Sequence, residues 1–136
     1  MNSMGPYELQ ILFCAIALGI VQILLMALFN VAERGLPWGV GPRDDAPKPF
    51  GKFGARNERA LHNFMESFVL FAAAVLLVNA LGRNSATSAH GAELYIWGRV
   101  LYLPLYLLGI PWLRTIAWGV ALAGILMVMA AVWPGM

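Results

Sequence analysis

The sequence predicts an all-α integral membrane protein, a bundle of four transmembrane helices. Three observations lead there. Of the 136 residues, 60% are hydrophobic and only 12% charged, against about 25% charged in a soluble domain. The apolar residues gather into four long runs separated by polar or Pro/Gly-rich breaks. Each run reaches or approaches the ~20 residues that a helix needs to cross ~30 Å of hydrocarbon. Only helices and closed barrels satisfy their backbone in lipid, and runs this long and uniform do not suit barrel strands. One domain, residues 1–136, accounts for the length.

The first helix is expected at about 7–32. No Lys or Arg precedes it and it is too long for a signal-peptide core, so it reads as a retained anchor. It holds Cys14, the sole cysteine, which excludes an intrachain disulfide and reads as a small buried hydrophobe. A loop follows at about 33–57, with four of the eight prolines. Six of the nine basic residues lie at Arg34, Arg43, Lys48, Lys52, Arg56 and Arg59, mixed with Glu33, Asp44, Asp45 and Glu58. Mixed charge without aromatic interleaving excludes a nucleic-acid surface. The basic excess places this loop in the cytoplasm and, after four spans, both termini on the opposite side.

The second helix is expected at about 58–81 and the third at about 92–108, after a polar loop from Arg83 to Gly91. Pro104 should kink the third. The turn Gly109-Ile-Pro-Trp112 makes the third helix an antiparallel neighbour of the fourth, at about 113–133. Most of the five tryptophans fall near span ends, as interfacial anchors do.

Polar residues inside these runs are the candidate site, because ionisable groups at membrane depth are costly. Arg59, Asn63 and Glu66 follow i, i+4, i+7 spacing and share one stripe of the second helix. Tyr95, Arg99, Tyr102 and Tyr106 form a matching stripe on the third. Arg99 should be buried and needs an anion, for which Glu66 is the evident candidate. Arg114 follows the tight turn, as a surface anchor or as a cation at the mouth of a cavity between the stripes. His62 lies beside the stripe without a metal-spaced partner, so it reads as a headgroup or hydrogen-bonding residue, and no metal is expected. Several cations, one carboxylate and several hydroxyls would suit a small zwitterionic or anionic ligand. Four short helices hardly enclose such a pocket, which favours a subunit interface.

The run Arg59-Ala-Leu-His-Asn-Phe-Met-Glu66 resembles the Arg-x-x-x-Asn-x-x-Glu signature of the MAPEG family, membrane-associated proteins in eicosanoid and glutathione metabolism. Arg99-Val-Leu-Tyr102-Leu-Pro-Leu-Tyr106 and Gly109-Ile-Pro-Trp-Leu-Arg114 resemble its third helix and the turn into its fourth. The first loop resembles the bacterial branch, which would place the chain in a bacterial inner membrane. The resemblance implies a homotrimer with glutathione as co-substrate between neighbouring subunits. Arg59, Asn63, Glu66, Arg99, Tyr102 and Tyr106 would hold it, and Arg34 lies near the place of another family arginine. Arg114 would stabilise the thiolate. The implied activity is a glutathione transferase, or a glutathione-dependent peroxidase, acting on a small apolar electrophile that arrives from the bilayer. A glutathione-binding scaffold without turnover is the alternative. A small four-helix transporter is a third reading, disfavoured because the first helix has no acidic residue between Leu9 and Ala32.

Overall fold

The computed structural model describes residues 5–133. Residues 1–4 and 134–136, which are the ends of the expected domain and the termini assigned to one side of the membrane, lie outside the described residues. The described residues are mostly helical, with a non-helical stretch at 41–51 and no strand among them. Its helices are α1 (Tyr7–Phe29), α2 (Leu36–Val40), α3 (Lys52–Ala80), α4 (Ala86–Leu107) and α5 (Pro111–Ala130). A π-helical turn, Asn30–Arg34, continues α1.

Where the helices begin differs from expectation, and each difference has a physical cause. Gly35, at φ 90°, breaks the chain between the π-turn and α2, a conformation open to glycine. Helix α3 begins at Lys52 rather than near Glu58. The Glu33 carboxylate accepts the Gly51 N–H at 2.6 Å, satisfying one donor that the helix start leaves orphaned. Residues 33–57 are therefore partly helical at both ends. Helix α4 begins at Ala86 rather than near Ala92, because Ser85 and Ser88 form a reciprocal capping box. The stretch read as a polar loop is mostly this helix's first turns. Helix α4 continues past Pro104 to Leu107.

Three helical segments are long and apolar enough to cross a membrane: Tyr7–Arg34, Lys52–Ala80 and Pro111–Ala130. The expected fourth, α4, does not meet that standard. Glu93, Arg99 and three tyrosines dilute its apolar character. Tyr95, Arg99 and Tyr102 are buried among the helices, away from the exposed face of α4.

Helices α4 and α5 pack with their backbones in near contact. A Cβ on Gly124 would lie 2.4 Å from the Gly91 carbonyl oxygen, and one on Gly98 would lie 2.8 Å from that of Ala117. Small residues permit such approach where packing, rather than water expulsion, joins helices. The main core lies towards the start of α4 and takes in Tyr95, the first residue of the expected α4 stripe. Phe71 and Tyr95 stack there, with ring centroids 3.9 Å apart, among Leu12, Ala15, Val75, Val78, Ile125 and Val128. At the far end of α4, Glu8 accepts a hydrogen bond from the Ser88 hydroxyl, and the Tyr7 hydroxyl donates to Glu93 at 2.6 Å. These contacts fix the start of α1 against the start of α4. Cys14, expected to be buried, is exposed on the outer side of α1.

Candidate functional site

The two polar stripes face each other across α3 and α4. Antiparallel packing brings the start of α3 beside the end of α4, and the turn at Gly109 returns α5 to the same place. That turn is fixed from α3. Arg56 donates to the Leu107 carbonyl at 3.0 Å, a cation on the C-terminal carbonyls of α4. Gly109 has φ 73°, and a Cβ there would come within 2.7 Å of the Arg56 guanidinium. Arg56 thus positions both Tyr106, at the end of α4, and Arg114, in the first turn of α5.

Tyr106 is the meeting point of the outer half of the site. Its hydroxyl accepts from Arg59 Nε at 3.1 Å. Its ring lies 4.6 Å from the Arg114 guanidinium carbon and 5.5 Å from the Tyr102 ring. Such cation–π contacts contribute from about 0.5 to 2 kcal/mol as desolvation increases. Arg114 stands in the first turn of α5, where the helix dipole already favours anions. Guanidinium and dipole act there in the same sense.

Arg99 occupies the inner half. It is 1% exposed and donates to Asn63 Oδ1 at 2.8 Å. Its guanidinium carbon lies 4.3 Å from the centroid of Tyr102 and 5.5 Å from that of Phe64. Its Nε is buried without a hydrogen-bond partner. The expected pairing with Glu66 is replaced by the neutral amide of Asn63. Glu66 is exposed, at the edge of the site.

Neighbouring cavities with shared lining residues run along this set. One of about 440 Å³ is bounded by Arg59, Asn63, Glu66, Tyr102 and Tyr106. Another, about 260 Å³, adds Arg114 through the shared walls Asn63, Tyr102 and Tyr106. A deeper one of about 150 Å³ runs from Asn63, Glu66 and Arg99 into apolar surface at Leu70, Trp118, Leu122 and Ile125. Arg34 lies apart, on the other side of α3. It donates to the Lys48 carbonyl at 2.9 Å and to Asn30 at 3.3 Å, and lies 3.6 Å over the Phe50 ring. It borders a separate cavity that meets the first through Glu58, His62 and Glu66.

The MAPEG family model matches residues 11–133, nearly the whole chain. The chain belongs to the MAPEG family. No curated protein and no solved structure matches it. Within this MAPEG fold the α3 stripe, Arg99, Tyr102 and Tyr106 of α4, and Arg114 line neighbouring cavities, whereas Tyr95 belongs to the core. The structure adds residues that sequence reasoning passed over. Arg56 reads in the sequence as one more loop cation, because its partner carbonyl lies 51 residues away. Trp118 reads as an interfacial anchor but lines two of the cavities. Glu58, read as a loop charge, and His62, read as a headgroup or hydrogen-bonding residue, line the main cavity; their signal was the one-turn spacing of 58, 62 and 66.

Proposed function

We propose that the protein is a membrane-bound glutathione transferase, or a glutathione-dependent peroxidase, that binds glutathione between the subunits of a homotrimer. Arg99 carries this reading. It is a buried cation whose side-chain partner is a neutral amide and whose Nε is unpaired. A buried charge without a counter-charge is strongly destabilising, and a ligand carboxylate would supply the missing partner. Arg59, Asn63, Tyr102 and Tyr106 offer further donors and acceptors around the same space. Glu66, which lines the same cavity, would accept from the ligand's amine or backbone N–H groups. Arg34 would join this set across the Glu58–His62–Glu66 border. The exposure of Glu66 supports the trimer, because a neighbouring subunit would cover a carboxylate that lipid would not tolerate.

In this reading α4 is a fourth span, alongside α5. The first loop faces the cytoplasm of a bacterial inner-membrane protein, with both termini on the opposite side. The permanently charged guanidinium of Arg114 favours the thiolate, which is the nucleophile, over the thiol. The apolar lining at Leu70, Trp118, Leu122 and Ile125 receives an electrophile from the bilayer. The sulfur lone pair forms the S–C bond, and in a substitution the leaving group departs with its electron pair.

The purified protein should conjugate glutathione to a simple aryl halide. Arg114→Ala should lower that rate by roughly a hundredfold, the usual loss for one electrostatic stabiliser. Unchanged conjugation in Arg114→Ala removes its assigned role.

A further inference from the structure

Glu58, His62 and Glu66 stand one helical turn apart on α3, all exposed on the subunit surface. They line two cavities at once. One is the main cavity, with Arg59, Asn63, Tyr102 and Tyr106. The other, about 640 Å³, opens on the loop side with Arg34, Trp38 and Arg43. His62 is therefore a shared wall between the outer surface and the main cavity, which adjoins the cavity of Arg114 at Asn63, Tyr102 and Tyr106, with a carboxylate one turn above and one turn below.

Thiol ionisation needs a group to receive the proton, and the cations of this site are unsuitable. A guanidinium stays charged, so Arg59 and Arg114 stabilise a thiolate without taking its proton. Phenols such as Tyr102 and Tyr106 are poor bases at neutral pH. Imidazole is the side chain whose charge ordinarily changes between pH 5 and 8.

We propose that His62 is the base that takes the thiol proton and hands it to water on the loop side; this rests on the glutathione reading above. The S–H bond breaks and its electron pair stays on sulfur. An N–H bond forms on the neutral imidazole. Glu58 and Glu66 stabilise the resulting imidazolium from either side, while Arg34, Arg43 and Arg59 limit its lifetime by like-charge repulsion. The imidazolium then releases the proton to water in the outer cavity, which restores the neutral ring.

The test is rapid mixing of the full-length protein, in detergent, with glutathione, following thiolate absorbance in the ultraviolet. The wild type should form thiolate. His62→Gln should slow its appearance by roughly a hundredfold, the lower range for a general base, while keeping the final amplitude, because Arg114 is intact. Free imidazole should restore the rate of His62→Ala. His90→Gln, at the opposite end of α4, should match the wild type. A wild-type rate in both His62 variants overturns the relay and leaves the glutathione reading standing. So does a lost amplitude with no change in rate, which would make His62 a ligand contact. Absence of thiolate in the wild type overturns the thiolate-forming reading itself, and the relay with it.

Discussion

The two ends of the helical bundle solve opposite problems. Around Phe71, Tyr95, Gly91 and Gly124, aromatic stacking and near-contact of backbones fill the interior, and the polar groups there are paired. Ser67 and Tyr95 share a hydrogen bond at 3.2 Å, and Glu8 is met by Ser88. Around Arg99, Tyr102 and Arg114 the same helices leave cavities, and the buried guanidinium has an unpaired Nε. A chain selected only for packing would treat both ends alike. On the proposed reading, one end holds the fold together while the other keeps polar capacity in reserve for a ligand.

This contrast can be broken by substitution. The largest stability effect is expected from Phe71→Ala, which removes a fully buried ring and should cost about 3–5 kcal/mol. Denaturant titration in mixed micelles would measure it. Gly124→Ala comes next, at about 1–3 kcal/mol, because its Cβ would meet backbone atoms of α4 at 2.4 and 2.6 Å. Ser85→Ala should cost about 1 kcal/mol by removing the cap of α4. Arg99→Met should change unfolding least, or raise the midpoint, since an apolar replacement relieves an unpaired buried charge. Glutathione affinity should reverse this order. Arg99→Met should weaken binding by roughly tenfold to a hundredfold, the worth of a hydrogen bond to a charged group, and Ser85→Ala should leave it near wild type. If Arg99→Met destabilises as much as Phe71→Ala, Arg99 belongs to the packing and not to the site.

Much of the site was legible because helical spacing is a local property. Residues 59, 63 and 66, and 95, 99, 102 and 106, fall on stripes whatever the helices pack against, and the helices do bring most of these stripe residues together. What was not legible depends on partners distant in the chain. Glu33 meets Gly51 across 18 residues and so moves the start of α3. Arg99 reaches Asn63 rather than Glu66, because burial and side-chain direction, not charge alone, select a partner. The polar run at 83–91 hid a helix start, although the Ser85–Ser88 pair carries a capping box that could have been read. Mean hydropathy sets α4 apart from the other long helices, although Tyr95, Arg99 and Tyr102 on it turn inward.

The most direct test of the reserve at Arg99 is calorimetry of the purified protein with glutathione and with glutathione diester, which lacks both carboxylates. Glutathione is expected to bind, and the diester to bind at least roughly tenfold more weakly, the loss of one charge-assisted hydrogen bond. Equal affinity for the two, or no heat from either, would contradict a buried cation that waits for a ligand carboxylate.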